Sequence, residues 1–387
     1  MGVMAWIKSI QNECDDIKLI FKFFFLLGVP YPDRNISLVL RIFEKILCTF
    51  YSILSICIFA LNTCRFIKDS FERQALAANL HFTFAVILRL YLVFKGKLIT
   101  KELSSLQKIH SKYDACPQKS LKLWIIIGSL LGYITALIGI SCMLWVTPES
   151  VRINNKFYSL DLDIPEPYED YFSVFPIMIL FVTNILLFTG QDLAVVLICS
   201  FYQKLGCFIS DCQRVLAAAY SEETPTPKII HNFSTTVNLL STSILKIDRV
   251  LSPLAFYLLC LFLFQILELT TIFMRDEIIF WHVMFGGLLV ITLIPKLILL
   301  VMLGSRIHER FAEIKELVLK APILNERILY EMPSGINHIA LFQLVDSLSD
   351  SAFMTAMGII KIEKSVILSV LCAFISYSVL ITQVFHK

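Results

Sequence analysis

Four ionisable side chains stand inside long apolar runs of this sequence: Arg89, Asp192, Glu268 and Lys296. A charge in hydrocarbon is costly, so each needs a partner or a wet cavity, and such residues mark either function or a structural ion pair. Near the C-terminal end, Ser376 and Gln383 are seven residues apart and therefore share one stripe of a helix, with Leu380 between them and Thr382 alongside. In lipid that stripe must face protein or water. Hydrogen bonding between helices is one use for it. A pore is another: four copies of the helix about an axis would set a ring of amides beside rings of aliphatic side chains. Amides replace part of a cation's hydration shell, and aliphatic rings close a path by dewetting.

The elements that must position these groups are membrane helices. Of 387 residues, 57% are hydrophobic, 17% are charged and 31 are Phe. Soluble domains are nearer one-quarter charged, and one aqueous core cannot hide this much apolar surface. Seven segments suit a hydrocarbon core about 30 Å thick: 40–64, 75–94, 123–146, 172–201, 251–274, 279–304 and 365–385. They must be helices, because an open sheet edge stays unsatisfied in lipid. The run at 19–29, interrupted by Lys22, is short for a span and does not read as a cleavable signal peptide. Trp124 and Trp145 bracket the third segment, about 31 Å apart along a helix, as two interfacial belts require.

Charge orients the bundle. With the N-terminus inside, the inner segments hold 23 Lys and Arg and the outer ones 7, which favours a cytoplasmic N-terminus and an extracellular C-terminus. The sequons at Asn35 and Asn232 then face the cytoplasm and should stay unmodified. The outer loop 147–171 carries a net charge of −4, a mouth that attracts cations, or simply a solvated acidic loop. The long segments 202–250 and 305–364 exceed ordinary connectors. In the second, Phe311, Ile314, Leu317 and Val318 share one helical face, so the fourth and sixth spans are expected to continue as helices beyond the membrane. Breaks are expected at 221–229 and 331–337, and a bend at Pro295.

In this orientation Arg89, Asp192 and Lys296 lie in the inner halves of their spans, so Asp192 could bridge to Arg89 or to Lys296. Glu268, one turn after Gln265, lies in an outer half where no basic residue shares its depth. It lines a wet cavity, stays protonated or meets a polar neighbour. A ligand pocket open to the outside is one such cavity. Depth alone nominates His81, Tyr133, Asn184, Gln265, Glu268 and Trp281 for it, and each is equally placed for ordinary packing. The eleven cysteines form no CxxC pair and read as structural thiols, and no metal site, cofactor motif or enzyme constellation appears.

The ending resembles that of the insect gustatory receptors, whose last span carries Thr-Tyr, five hydrophobic residues, then Gln-Phe. Here Ser376-Tyr377 is followed by "SVLIT" and Gln383-Val384, so Tyr377 and Gln383 match while Ser376 and Val384 depart. Residues 355–370, "TAMGIIKIEKSVILSV", resemble the family's lead into that span, and "FKFFFLLGVPYP" at 21–32 resembles its N-terminal segment. These motifs cover about a tenth of the chain. The resemblance implies an all-α membrane protein of the plasma membrane, a tetrameric, ligand-gated, non-selective cation channel opened by a small-molecule tastant. It implies a cytoplasmic segment 1–37, helices one to six with the pocket at 38–304, cytoplasmic anchor helices at 305–364 where subunits meet, and a pore-lining helix at 365–387. Carried over, Gln383 is the pore residue, Ser376 shares its stripe, and Leu380 and Val384 form the constriction. An odorant-receptor-like subunit of a mixed channel is the alternative. A G-protein-coupled receptor demands the opposite orientation. A secondary transporter should show internal repeats, and none is seen. The outer halves are largely apolar and aromatic, which favours a bitter or lipophilic ligand over a sugar.

Overall fold

The structure is a computed structural model, and it describes residues 16–31, 37–68, 73–110, 119–144, 181–221, 227–273, 280–320, 343, 345–346 and 353–385. The outer loop 147–171, Trp145 and the 331–337 break lie outside them.

The described chain is helical almost throughout. A short helix α1 (Asp16–Phe25) precedes α2 (Leu38–Lys68), α3 (Arg73–His110) and α4 (Lys119–Leu144). A π-helical turn, Ile185–Thr189, leads into α5 (Gly190–Ser221), followed by α6 (Pro227–Phe273) and α7 (Phe280–Lys320). Two short strands, β1 (Thr355–Ala356) and β2 (Ile360–Lys361), pair as an antiparallel hairpin before α8 (Ser365–Phe385). The hairpin is a brief non-helical step in a fold that is all-α as expected. It occupies part of the stretch read as the lead into the last span.

Among the described residues, four stretches are long and apolar enough to cross a bilayer: Leu38–Leu61, Phe181–Ala218, Val237–Leu267 and Val290–Leu319, with a shorter apolar helix at Leu123–Ile138. The chain is a multi-pass helical membrane protein. The apolar stretch of α6 begins earlier than the expected 251 because its inner portion is also packed: Val237, Leu240, Ile244 and Ile247 are buried. The extensions are continuous helices. On α7, Phe311, Ile314 and Val318 are fully buried while Glu313 and Glu316 are exposed, so period 3.6 persists beyond residue 304, the expected end of the sixth span. Helix α5 ends at Ser221 and α6 begins at Pro227, both within the expected break at 221–229, whereas α6 and α7 run through Pro253 and Pro295.

At the centre of the bundle lies α5. Every residue from Leu193 to Tyr202 is buried, and α5 meets α1, α3, α4, α6 and α7. The run at 19–29 does not cross anything. Leu19, Ile20, Phe21 and Phe24 are completely buried against the bundle. Gly28 ends this segment with φ +68, the left-handed backbone that closes a helix, and Val29 N–H reaches back to Phe24 O while Gly28 N–H reaches Phe25 O. A side chain at Gly28 would also lie 2.9 Å from Leu47 O of α2, so only glycine fits.

Candidate functional site

The intramembrane charges find different partners. The Arg89 guanidinium, buried on α3, donates to Leu27 O at 3.0 Å, Cys48 O at 3.1 Å and Ser52 Oγ at 3.3 Å, and it sits 5.6 Å from the Tyr51 ring centre. Leu27 lies in the turn that closes α1, so Arg89 satisfies an orphan carbonyl at the negative end of a helix. It therefore fastens the N-terminal segment to α2 and α3. Asp192 pairs instead with Lys296 of α7, Nζ to Oδ1 at 2.5 Å, with both side chains withdrawn from the surface. Of the two bridges open to Asp192, geometry selects Lys296.

Small residues create room for that ion pair. An added Cβ at Gly132 of α4 would lie 2.8 Å from the Asp192 Cβ, and one at Gly128 would lie 2.8 Å from Val196. The π turn sits one step earlier, and Thr189 donates to Gly132 O at 3.3 Å. A π turn inserts a residue and re-aims the side chains beyond it, which is why it recurs at functional positions. Its N-cap is Asn184, a nominated pocket residue, buried here.

The other pocket nominees behave differently from one another. His81 is buried. Gln265 is buried and its Oε1 accepts from Gln191 Nε2 at 3.2 Å, an amide pair joining α5 to α6. Gln191 was not singled out from sequence, since an amide beside the acidic Asp192 carries no signature of its own. Tyr133 is committed elsewhere: its hydroxyl donates to Phe23 O at 2.8 Å, and its ring lies 6.5 Å from that of Phe23. The side chains of Glu268 on α6 and Trp281 on α7 lie outside the described residues. A cavity of about 10 Å³, the size of one water, is lined by α1, α3 and Leu186 around Arg89. A groove of about 160 Å³ lies between the C-terminal end of α3 and the N-terminal part of α6, lined by Glu102, Ser105, Leu239, Thr242, Ser243 and Lys246. Neither includes a pocket nominee. Among the described residues no cluster of His, Cys, Asp and Glu could hold a metal.

The last helix has three faces. Val366, Ile367 and Val370 pack on the chain's own core, where α8 meets α6 and α7. Leu368, Leu371, Ile375 and Val379 form an exposed apolar face. Ser365, Ser369, Cys372 and Ser376 form a third face, exposed and made of small or polar groups. Helical spacing extends this third face through Leu380 to Gln383, whose side chains, with that of Val384, lie outside the described residues. Cys372 also departs from the reading of the cysteines as buried thiols. Cys199 and Cys212 are buried, but Cys57, Cys64 and Cys372 are exposed on apolar helices.

No protein-family model matches the sequence, and no curated protein matches it. Solved structures do. The insect olfactory receptor OR5 from Machilis hrabei superposes with a TM-score of 0.65 at 12% identity, over 99% of this chain and 98% of that one. The chain has the insect olfactory receptor fold. The same receptor in complex with eugenol superposes with a TM-score of 0.62 at 14% identity, again over 99% and 98% of the two chains.

Proposed function

We propose that this chain is a chemoreceptor subunit of a ligand-gated, non-selective cation channel, with α8 lining a path shared by four subunits. One observation carries the reading: α8 is a 21-residue apolar helix whose small, polar face turns away from its own bundle. A row of hydroxyls ending on an amide is costly against lipid and favourable against water. The olfactory receptor fold over almost the whole chain supports the same reading. In it, Ser376 and Gln383 face permeating cations, Leu380 and Val384 narrow the path, and 305–364 contributes the cytoplasmic contacts between subunits. The N-terminus is cytoplasmic and the protein resides in the plasma membrane.

The ligand is a small, lipophilic molecule held in the outer half of the bundle near His81, Asn184, Gln265, Glu268 and Trp281. That a receptor of this fold is seen with eugenol supports the class. Gln191 joins this group, because its amide already engages Gln265. Tyr133 contributes through α1, to which its hydroxyl is tied. A taste role is favoured by the match at Tyr377 and Gln383; an odorant-type subunit of a mixed channel is the second reading, favoured by the fold of the solved relatives.

Recording from membranes that contain this chain alone tests the proposal. Cation currents evoked by members of a lipophilic compound panel are expected, and Gln383→Ala should change relative ion permeability without reducing surface expression. Currents with unchanged selectivity in that variant would remove Gln383 from the pore.

A further inference from the structure

We infer that Asp248 is a positioning residue for α8, acting through the β1–β2 hairpin; this rests on the reading of α8 as the pore helix. The hairpin docks on α6 by a directed chain of hydrogen bonds. Thr355 N–H donates to Asp248 Oδ1 at 2.7 Å and Thr355 Oγ1 donates to Oδ2 at 2.7 Å. Ser252 Oγ lies 2.9 Å from Thr355 Oγ1, and Gly358 N–H donates to Ser252 Oγ at 3.1 Å. A carboxylate only accepts. Its charge therefore fixes every proton: Gly358 N–H points to Ser252, the Ser252 hydroxyl to Thr355, and the Thr355 hydroxyl to Asp248. Chains that end on an anion are shorter and stronger than neutral ones. Met357 N–H adds a bond to Ser252 O at 3.1 Å.

The hairpin turn is itself over-determined. Met357 and Gly358 have φ of 56 and 68, the left-handed pair of a type I′ turn, which methionine enters only at a cost. Ile359 N–H closes the turn onto Ala356 O. On the other side the hairpin clasps α7. An added Cβ at Gly304 would lie 2.7 Å from Ile362, His308 stacks on Phe353 at 3.9 Å, and Lys361 sits 4.0 Å from the same ring. Glu309 pairs with Lys364 at 2.7 Å, one residue before α8 begins. The first amides of α8, Val366 and Ile367, donate to Glu363 O and Lys364 O. The hairpin thus joins α6 and α7 rigidly to the base of α8.

Helix α6 carries the other end of the connection. Gln265 lies further along the same helix, about 26 Å from Asp248. Pro253, next to Ser252, lacks the N–H that the Arg249 carbonyl would accept, so α6 is weakest beside the hairpin. A displacement of the outer part of α6 is delivered at Asp248 and Ser252, and from there to α8.

The test uses the full chain in lipid nanodiscs and planar bilayers, with Asp248→Ala, Asp248→Asn and Thr355→Val compared with the unaltered protein. Amide hydrogen exchange at Thr355, Gly358, Val366 and Ile367 should accelerate about tenfold in Asp248→Ala, the scale of losing one charge-assisted hydrogen bond. Asparagine should rescue only in part, because its N–H₂ donates to Thr355 Oγ1, which turns the Thr355 hydroxyl to Ser252 and replaces the charge-assisted bonds by weaker neutral ones. Thr355→Val, which leaves the amide bond to Asp248, should still free Gly358 and the base of α8. The spontaneous open fraction, read without ligand, should shift while ion permeability ratios stay fixed. Acceleration confined to the hairpin, with Val366, Ile367 and the open fraction as in the unaltered protein, would overturn the inference, as would full rescue by asparagine. An unaltered protein that passes no current would instead defeat the channel reading, and exchange at Val366 and Ile367 would then decide the positioning role alone.

Discussion

Helices α5 and α8 are both apolar enough to sit in a bilayer, yet the chain treats them oppositely. In the most apolar 18-residue window of the stretch containing α5, 89% is buried within this single chain. Along α8, Leu368 is 66% exposed and Ile375 is 59% exposed. The hydrophobic run alone does not separate these two fates; the placement of small and polar residues does. On α5 and the π turn before it, the polar groups Gln191, Asp192 and Thr189 each meet a partner on a neighbouring helix, and glycines on α4 let that helix approach. On α8 the hydroxyls of Ser369 and Ser376 lie on a face that its own bundle leaves open. One helix is a finished interior, and the other keeps an open face, as the proposed assembly requires.

Substitutions should divide along the same line, with large costs at α5 and small ones at α8. Asp192→Ala leaves the Lys296 ammonium buried without its partner, which should cost about 3–5 kcal/mol and appear as a much lower melting temperature in detergent. Gly132→Ala drives a methyl against Asp192 and should cost about 1–3 kcal/mol by overpacking, read in the same melt. Tyr202→Phe should act in the other direction. Among the described residues the buried Tyr202 hydroxyl meets no hydrogen-bond partner, so its removal should stabilise by about 1 kcal/mol. Ser376→Ala on the open face of α8 should leave the melt within about 0.5 kcal/mol of the parent while altering conductance. A Ser376 variant as unstable as Asp192→Ala would erase the contrast between the two helices.

Much of this was legible in the residues. The Gly28-Val29-Pro30 step announces the end of α1, because glycine followed by proline is how a helix stops. The buried face of α7 at Phe311, Ile314 and Val318 follows from period 3.6. The partner of Arg89 was not legible, since the carbonyls of Leu27 and Cys48 belong to the backbone and leave no mark in side-chain types. The hairpin was hidden for a related reason. Its turn uses methionine where asparagine or aspartate would announce a left-handed residue. Nothing in the sequence sets Asp248 apart from other charges, because the fold brings Thr355 to it across more than a hundred residues. Tyr133, nominated for the pocket by depth, turned out to hold α1, a contact that depth along a span cannot reveal.

The most direct test of the account is imaging of the purified protein assembled in lipid. Four copies about a central path, with the Ser369, Ser376 and Gln383 face of α8 turned towards it, is the result the account predicts. A single copy, or an assembly in which that face lies against lipid, would contradict it.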